Sequence, residues 1–345
     1  ASLGWRMVEA DALTNLGLCS AELRKTDDAL RYLDSAVVLR EETGSIHNMP
    51  YTLQSLARMH RSLGEYDRAV ALLERSREYA IRLGSTLMDA HACYQIGWTL
   101  MKSGRHTEAK HWNMRALELY RRLGSHSDIV KVLTALFELH RIHGEYDSAV
   151  AYAREAVLIA EQQGSGSELI YCCQFFGDVL VQAGRFADAR ESYATALATA
   201  EKLRDRRAIG LAHIGLANVS EGFDDLDEAI VHNEKALTEF EAVNDRRNLV
   251  EHLAGMADRN FHAGLYSKAL QYAERELRVA EELCVAEELV DSVYILHATY
   301  QIAYALERLD RNREAMAVVV RAIPMAIGMR DSVRLLHLER WLGKL

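Results

Sequence analysis

A forty-residue period runs through the sequence and constrains the fold more than any other feature. The stretch RSLGEYDRAV at 61–70 returns as RIHGEYDSAV at 141–150, and VQAGRFADAR at 181–190 is a looser copy. When the chain is written in rows of forty, the copies align without gaps for seven rows. Self-similarity at a fixed period predicts a repeat protein in which each unit packs on its neighbours.

Small residues recur at three positions of the unit and predict where helices approach closely. Between the first and second positions, Gly64, Gly104, Gly144, Gly184 and Gly264 mark a turn, because glycine takes a left-handed backbone at the lowest cost. Each unit is therefore predicted to be two helices joined by an elbow at GEYD. The three columns are Gly17, Ala57, Gly97, Phe137, Gly177, Ala217 and Ala257; Ala29, Ala69, Ala109, Ala149, Ala189, Ala229 and Ala269; and Ala36, Ser76, Ala116, Ala156, Ala196, Ala236 and Glu276.

The junction between units is predicted to carry a glycine C-cap and a serine N-cap. Asp128 and Glu168 lie three residues beyond a junction serine, as the carboxylate of a capping box does. In two later units Asp205 and Asp245 replace the serine as N-cap. The junctions with serine are ETGS (42–45), RLGS (82–85), RLGS (122–125) and QQGS (162–165).

Composition agrees with a nearly all-helical chain. The 345 residues are 49% apolar and include only two prolines, Pro50 and Pro324. No apolar run approaches the roughly 18 residues that span a bilayer, so we expect a soluble protein. The five cysteines are odd in number and lie in helical patterns, which favours reduced thiols and a cytoplasmic location. The net charge of −9 argues against a general attraction to nucleic acid or anionic lipid.

The columns resemble those of the tetratricopeptide repeat over residues 10 to about 325. The unit of forty residues is longer than the usual repeat and is similar to sensor domains of maltose-type and Rap-type bacterial regulators, kinesin light chain and Pins/LGN scaffolds. The resemblance implies an all-α solenoid of about eight helix hairpins in a right-handed superhelix, with a C-terminal capping helix. The packing positions are Leu53, Leu56, Ala57, Ala69 and Ser76 in the second unit and Cys93, Ile96, Gly97, Ala109 and Ala116 in the third.

We expect residues 1–345 to form one solenoid domain. The eighth unit aligns only if six residues are inserted within ELCVAEELVDSV, and Pro324 is expected to kink or end its second helix. The N-terminal segment lacks a polar cap, which predicts further repeats in a longer parent chain. The predicted repeats are 10–49, 50–89, 90–129, 130–169, 170–209, 210–249, 250–295 and 296–328, followed by a terminal helix at 331–345.

In this repeat family the first helix of each hairpin lines a concave groove, and the matching positions here are rich in aromatic and long polar side chains. We expect these residues to bind the ligand or partner. Basic side chains are predicted to dominate the first half (Arg58, Arg61, Lys102, Lys131, Arg141) and acidic ones the second. The predicted groove residues are Tyr51, Gln54, Arg58, Arg61, His91, Tyr94, Trp98, Lys131, Thr134, Glu138, Arg141, Tyr171, Gln174, Asp178, Asn218, Asp258, Phe261, Tyr300 and Tyr304.

No motif for catalysis, a cofactor or a metal is recognised. GSGS at 164–167 lacks the Lys-Ser/Thr ending of a phosphate loop. His140 and His143 share a helix face but lack the HExxH spacing and are interpreted as surface histidines. Cys172 and Cys173 are expected to pack as small hydrophobic residues. The sequence therefore predicts a protein that is not an enzyme and uses no cofactor.

The predicted function is a non-catalytic recognition module, the ligand-sensing or partner-docking region of a larger bacterial signalling or transcription regulator. Its groove would bind a peptide, a protein segment, another domain of the same parent chain or a small effector. The alternative is a free-standing intracellular protein–protein interaction scaffold. Nucleic acid and membrane are not expected partners.

Overall fold

The computed structural model describes residues 3–287 and 292–328, and every regular element in these ranges is an α-helix. This confirms the predicted all-α class. None of the described helices combines the length and apolarity needed to cross a bilayer. The helices are α1 (Leu3–Glu22), α2 (Thr26–Thr43), α3 (Met49–Ser62), α4 (Tyr66–Arg82), α5 (Thr86–Lys102), α6 (His106–Leu123), α7 (His126–Ile142), α8 (Tyr146–Gln163), α9 (Gly166–Gln182), α10 (Phe186–Leu203), α11 (Arg206–Gly222), α12 (Leu226–Ala242), α13 (Arg246–His262), α14 (Tyr266–Glu287), α15 (Ser292–Arg308) and α16 (Asn312–Gly328).

The helices fall into two compact units, one ending at Ser192 and the other beginning at Tyr193, both within α10. In the first unit α1 to α8 pair in sequence as antiparallel hairpins, and each hairpin also packs on the next. In the second unit α11 to α16 do the same. The small-residue columns are buried as predicted, from Ala29, Ala69 and Ala149 at 0% exposure to Ala269 at 2%. Each unit is thus a solenoid-like stack of helix hairpins.

A residue with a left-handed backbone recurs at every twentieth position, twice in each forty-residue repeat. From Arg24 to Gly264, one residue in each twenty has a positive φ and ends a helix. Glycine fills most of these positions, including the predicted elbows Gly64 (φ 77°) and Gly144 (φ 73°). The non-glycine members of the series are Arg24, Arg204, Asp224 and Asn244, with φ between 54° and 59°.

Replacing Arg204 with glycine is expected to raise the free energy of unfolding by about 0.5 to 1 kcal/mol. The left-handed backbone costs an ordinary residue about 1–2 kcal/mol, which glycine would relieve. The greater conformational freedom of glycine in the unfolded chain offsets part of this stabilisation. Urea denaturation followed by circular dichroism would measure the change. Gly184→Arg, at an earlier position of the same series, should lower stability by a similar amount. A loss of stability in Arg204→Gly would contradict this account of the turn.

The glutamate of the recurrent GEYD segment contacts a buried histidine that precedes the segment. His60 is 2% exposed, and its Nδ1 lies 2.7 Å from Oε2 of Glu65, five residues along the chain. His140 and Glu145 repeat the arrangement at 2.5 Å, and the hydrogen bond from His140 holds the pKa of Glu145 below its usual range. The interpretation of His140 as a surface residue is therefore wrong, because the histidine packs inside the hairpin at 5% exposure.

The predicted helix caps are confirmed for aspartate and only partly for serine. The Asp205 and Asp245 side chains accept hydrogen bonds from backbone N–H groups at 3.0 and 3.2 Å. Ser85 caps α5 in the same way, whereas the Ser125 hydroxyl donates to Asp128 at 2.7 Å and caps no backbone group. Ser165 forms no capping hydrogen bond, and α3 begins at Met49 rather than directly after ETGS.

The six-residue insertion lengthens a helix. α14 has 22 residues, against 17 for α12, and α15 begins at Ser292. α16 continues through Pro324 to Gly328, so the proline does not end the helix. The predicted terminal helix at 331–345 lies outside the described residues.

Candidate functional site

The predicted groove residues lie on the first helix of each hairpin and remain partly or fully exposed to solvent. Those of the first unit belong to α3, α5, α7 and α9, and those of the second to α11, α13 and α15. The same helices bury their small-residue columns, so the two sets of side chains lie on different faces. His91 and Tyr94 are half-buried, whereas Tyr51 is 52% exposed.

A pocket of about 400 Å³ in the first unit brings four of the predicted residues together: Tyr51, Gln54, Arg58 and His91. Sequence reasoning missed the remaining residues of the lining, most of which are apolar or come from the first turn of α5 and from α6 and α7. Counting the first turn of each helix as part of the groove would have found Leu87 and Met88. The missed lining residues are Leu18, Pro50, Ser55, Leu87, Met88, Gln95, Tyr120 and Asp128.

A directed chain of hydrogen bonds runs along the wall of this pocket. Arg61 Nη1 donates to Gln95 Oε1 at 2.8 Å, and the Gln95 amide faces His91 Nε2 at 3.4 Å. His91 Nδ1 in turn lies 2.8 Å from Gln54 Oε1. Because an amide oxygen only accepts, Nδ1 carries the proton and Nε2 accepts from Gln95. Every bond in the chain therefore points from Arg61 towards Gln54.

The chain ends on the backbone of α3. Gln54 Nε2 donates to Ser76 Oγ at 3.1 Å, and Ser76 donates to the Pro50 carbonyl at 3.0 Å. Ser76 occupies a position where most other forty-residue repeats have alanine, and it is fully buried. Its hydroxyl satisfies the amide of Gln54, so the small-residue column of this unit also anchors the pocket wall.

The network requires His91 to be neutral. Protonation would place a second N–H on Nε2, facing the NH₂ group of Gln95, and would break the chain. Burial lowers the pKa of His91 in the same direction, with Lys131 assisting and Asp128 opposing it. The imidazole therefore remains neutral at pH 7 and fixes both glutamine side chains.

Two arginines give the pocket its charge. Arg58 is exposed at the pocket wall, and Arg61 is partly buried one turn further along α3. Among the described residues neither forms a salt bridge with a carboxylate, whereas most other arginines of this acidic chain do. Burial, followed by the positive charge of Arg58, lowers the pKa of Arg61, and Tyr94 opposes this shift. The lining carboxylate Asp128 is paired with Lys131, so Arg58 and Arg61 are the cations at this pocket without a described salt bridge.

Two of the other predicted cations are neutralised within their own helix. Lys131 Nζ lies 3.0 Å from Asp128, and Arg141 Nε lies 2.8 Å from Glu138. Lys102 lies 5.0 Å from the ring centroid of Trp98, outside the pocket lining. The predicted basic wall of five residues is therefore reduced mainly to the two arginines of α3.

The remaining predicted residues lie outside the pocket. In the first unit Thr134 donates to the Val130 carbonyl at 2.9 Å, and Tyr171 packs edge-on against Phe175 at 4.4 Å. Gln174 and Asp178 follow along the same helix. In the second unit the predicted residues are Asn218 on α11, Asp258 and Phe261 on α13, and Tyr300 and Tyr304 on α15, where the aromatic rings form a cluster.

The cysteines pack as predicted. Cys93, Cys172 and Cys173 are buried, and burial raises the pKa of their thiols to about 12, 12 and 11. A thiol with a raised pKa is a poor nucleophile, because the thiolate is the reactive form. In the part of the chain that the structure describes, His, Cys, Asp and Glu side chains form no group of three or more suited to a metal ion.

The stacked hairpins and their exposed first helices define a helical-repeat interaction scaffold. Tetratricopeptide repeat models match residues 8–82, 90–122 and 176–243, and the chain belongs to the tetratricopeptide repeat proteins. A model of anaphase-promoting complex subunit 5 matches residues 115–183 and 260–345.

Relatives and solved structures agree on the fold. Human Tetratricopeptide repeat protein 29 is 24% identical over 212 residues, which cover 56% of this chain and 44% of the relative, so this chain spans less than half of that protein. A signal transduction ATPase with numerous domains from Pyrococcus horikoshii, which has a tetratricopeptide repeat sensor, is similar with a TM-score of 0.61 at 13% identity, over 95% of this chain and 50% of that one. A Rap protein complexed with competence and sporulation factor has a TM-score of 0.52 at 14% identity, over 99% and 96%.

Proposed function

We propose that this chain is the non-catalytic sensing or docking region of a larger signalling or transcription regulator, acting in the cytoplasm. It binds a peptide or protein segment in the pocket of its first unit. The observation that carries the proposal is the pair Arg58 and Arg61, neither of which forms a salt bridge with a described carboxylate, beside a mainly apolar cavity of about 400 Å³. The predicted alternative of a small effector would occupy the same pocket.

The pocket favours a ligand that carries an acidic group next to an apolar one. Leu18, Leu87 and Met88 offer an apolar lining, and Arg58 can reach a carboxylate at its edge. Arg61 lies beside the pocket rather than in its lining, and its partly buried charge adds positive potential that attracts an acidic group. The hydrogen-bonded wall of His91, Gln54 and Gln95 is already ordered, so little side-chain entropy is lost on binding.

The solved structures support the role of a sensor. The Rap structure is of a complex with competence and sporulation factor, and the Pyrococcus protein has its repeats as a sensor. This chain shares their fold, and we transfer the role of ligand sensing to its pocket. A long-unit solenoid supplies an extended surface whose successive first helices present several side chains to one peptide.

Charge reversal at the pocket is expected to weaken the binding of an acidic peptide. A random peptide library displayed on phage would be selected on the immobilised chain, and the best peptide measured by calorimetry. Arg58→Glu should raise the dissociation constant of this peptide at least tenfold, which corresponds to about 1.4 kcal/mol of binding free energy. Lys25→Glu is the matched control, since Lys25 is exposed at the turn between α1 and α2 and does not line the pocket.

An arginine with structural partners, such as Arg77, would be unsuitable as the control position. Arg77 Nε lies 2.8 Å from Asp89, and its guanidinium is 5.3 Å from the ring centroid of Trp112, so changing it would disturb the fold. If Lys25→Glu weakened the selected peptide as much as Arg58→Glu did, the effect would be one of overall charge. Selected peptides without acidic residues would also contradict the proposal.

A free-standing interaction scaffold is the second candidate. The match to anaphase-promoting complex subunit 5, over parts of both units, favours this role. A scaffold of this kind would form a stable complex with folded proteins through a large surface. Co-purification of a stoichiometric protein complex that Arg58→Glu does not disrupt would favour the scaffold over the peptide sensor.

A further inference from the structure

One eight-residue sequence occurs on a groove helix of each unit. HACYQIGW at 91–98 lies on α5, and HATYQIAY at 297–304 lies on α15. The copies are identical at five of eight positions, and the differences are Cys to Thr, Gly to Ala and Trp to Tyr. Their separation equals five units of forty residues plus the six inserted residues, so both occupy the same position of the repeat.

The two copies are set beside opposite charges. In the first unit His91 contacts neutral Gln54, whereas in the second unit His297 Nδ1 lies 2.9 Å from Oε1 of Glu276. Arg58 on α3 has its counterpart two hundred residues later in Asp258 on α13. The second copy therefore has Asp258 nearby where the first has Arg58, and Glu276 where the first has Ser76.

Glu276 stands in the small-residue column where the other forty-residue repeats have alanine or serine. Its side chain is 0% exposed, and its Oε2 has no hydrogen-bond partner among the described residues. Burial raises its pKa, the hydrogen bond with His297 opposes this, and the negative charge of Asp258 adds to the rise. A buried carboxylate with an unsatisfied oxygen lowers stability, and packing alone would be served by alanine.

An aromatic cluster lies on the same two helices as Asp258 and His297, α13 and α15. The rings of Tyr300 and Tyr304 stack with centroids 6.1 Å apart, and Phe261 meets Tyr304 edge-on at 6.2 Å. Tyr266 extends the cluster, with its ring 5.3 Å from that of Phe261. Tyr304 is 39% exposed and Asp258 is exposed, so solvent reaches both the rings and the carboxylate.

We infer that the second unit holds a separate recognition site for an organic cation, the guanidinium or ammonium group of an arginine or lysine side chain in a peptide. The aromatic faces attract the cation, and Asp258 and Glu276 supply the negative potential. The site contains none of the residues of the first-unit pocket. It goes beyond the proposed function and stands or falls independently of it.

The test uses the full chain labelled with 3-fluorotyrosine and followed by fluorine NMR, with signals assigned by Tyr300→Phe and Tyr304→Phe. The probe is N-acetyl-arginine methylamide, and the citrulline analogue, of the same shape without the charge, is its control. The arginine probe should give a saturable shift of both tyrosine signals, and the citrulline probe should not. Equal shifts with both probes, or none with arginine, would overturn the inference.

Substitutions then separate binding from stability. Asp258→Arg should abolish the response to arginine, whereas Arg58→Asp, at the same repeat position of the first unit, should leave it unchanged. Glu276→Gln keeps an oxygen that can accept from His297 and removes the charge. Glu276→Gln should lower the affinity for the arginine probe at least threefold, while the free energy of unfolding stays equal or becomes higher. Weaker binding accompanied by a less stable fold would mean that Glu276 is only structural.

Discussion

Lowering the pH from 7 to 4 is expected to unfold the second unit before the first. Two buried histidines cause this: His213 on α11 and His252 on α13, at 8% and 6% exposure. Burial, assisted by His232 and Lys235, lowers the pKa of His213 to about 4. Burial, assisted by Arg259 and opposed by the Asn233 backbone, lowers the pKa of His252 to about 4.

The sign follows from proton binding. An unfolded histidine titrates near 6.5, so between pH 6.5 and 4 the unfolded chain binds protons that the folded unit excludes. Stability is full above 6.5 and falls as the pH decreases through this window. Lowering one histidine pKa from about 6.5 to about 4 corresponds to about 3 kcal/mol of stability, a large share of the 5–15 kcal/mol of a typical domain. Glu276, whose pKa is raised, acts in the opposite direction and offsets part of the loss.

The first unit also buries two histidines, His60 and His140, but each of them contacts a carboxylate, Glu65 or Glu145. Its shifted carboxylates include Asp11, whose pKa is lowered chiefly by the hydrogen bond from Arg40. A lowered carboxyl pKa withdraws stability only below the usual range of Asp and Glu, near pH 4. The lowered pKa of His91 also reduces stability as the pH falls, as those of the two histidines of the second unit do. We therefore expect the second unit to lose protection first.

Hydrogen exchange with mass spectrometry at pH 7, 5.5 and 4.5, corrected for intrinsic exchange rates, would locate the loss. His213→Asn and His252→Gln replace the imidazoles with amides that do not titrate. Each should flatten the decrease in urea stability between pH 6.5 and 4 by about half of the histidine contribution. His126→Gln, at an exposed position, should leave it unchanged. An unaltered pH dependence in the double variant would exclude these histidines as the cause.

The sequence predicts the fold well because small residues at a fixed spacing determine where the helices pack. Ala69 and Ala149 are buried for the same local reason in every unit, and Gly64 and Gly144 adopt the left-handed backbone that the elbow needs. Helix packing of nearest neighbours decides these features, so one repeat informs the next. The role of Glu65 in GEYD was missed, because its partner His60 is apparent only once the hairpin is closed.

The site could be predicted only in outline. Family position identifies the helix face, and Tyr51, Gln54, Arg58 and His91 do meet in one pocket. Whether a cation is available depends on neighbours within reach of its side chain, and Arg141 is paired with Glu138. Such pairing follows from rotamers rather than from repeat position. The repeated sequence at 91–98 and 297–304 was visible without a structure, but its opposite surroundings were not.

Gly215 and Gly255 occupy the same repeat position forty residues apart, and replacing each with alanine is expected to have opposite effects. A Cβ at Gly215 would lie 2.2 Å from Cε1 of Tyr193, which is 2% exposed and enclosed by its neighbours. Overpacking of this kind lowers stability by about 1–3 kcal/mol or more. A Cβ at Gly255 meets only Arg259 Nη2 at 3.8 Å, so the higher helix propensity of alanine should raise stability by about 1 kcal/mol.

The free energies of unfolding of the two variants should therefore differ by about 3 kcal/mol in urea denaturation. The substitution and the repeat position are the same, and both glycines lie in the second compact unit. Tyr193→Leu removes the ring that Gly215 accommodates, so Gly215→Ala should be much less harmful in that background. A coupling of about 1 kcal/mol or more in the double-mutant cycle would assign the effect to this contact. If Gly255→Ala were as destabilising as Gly215→Ala, a requirement of the repeat itself would explain glycine here. Unequal results would show that the partner helix decides which small residues can be exchanged.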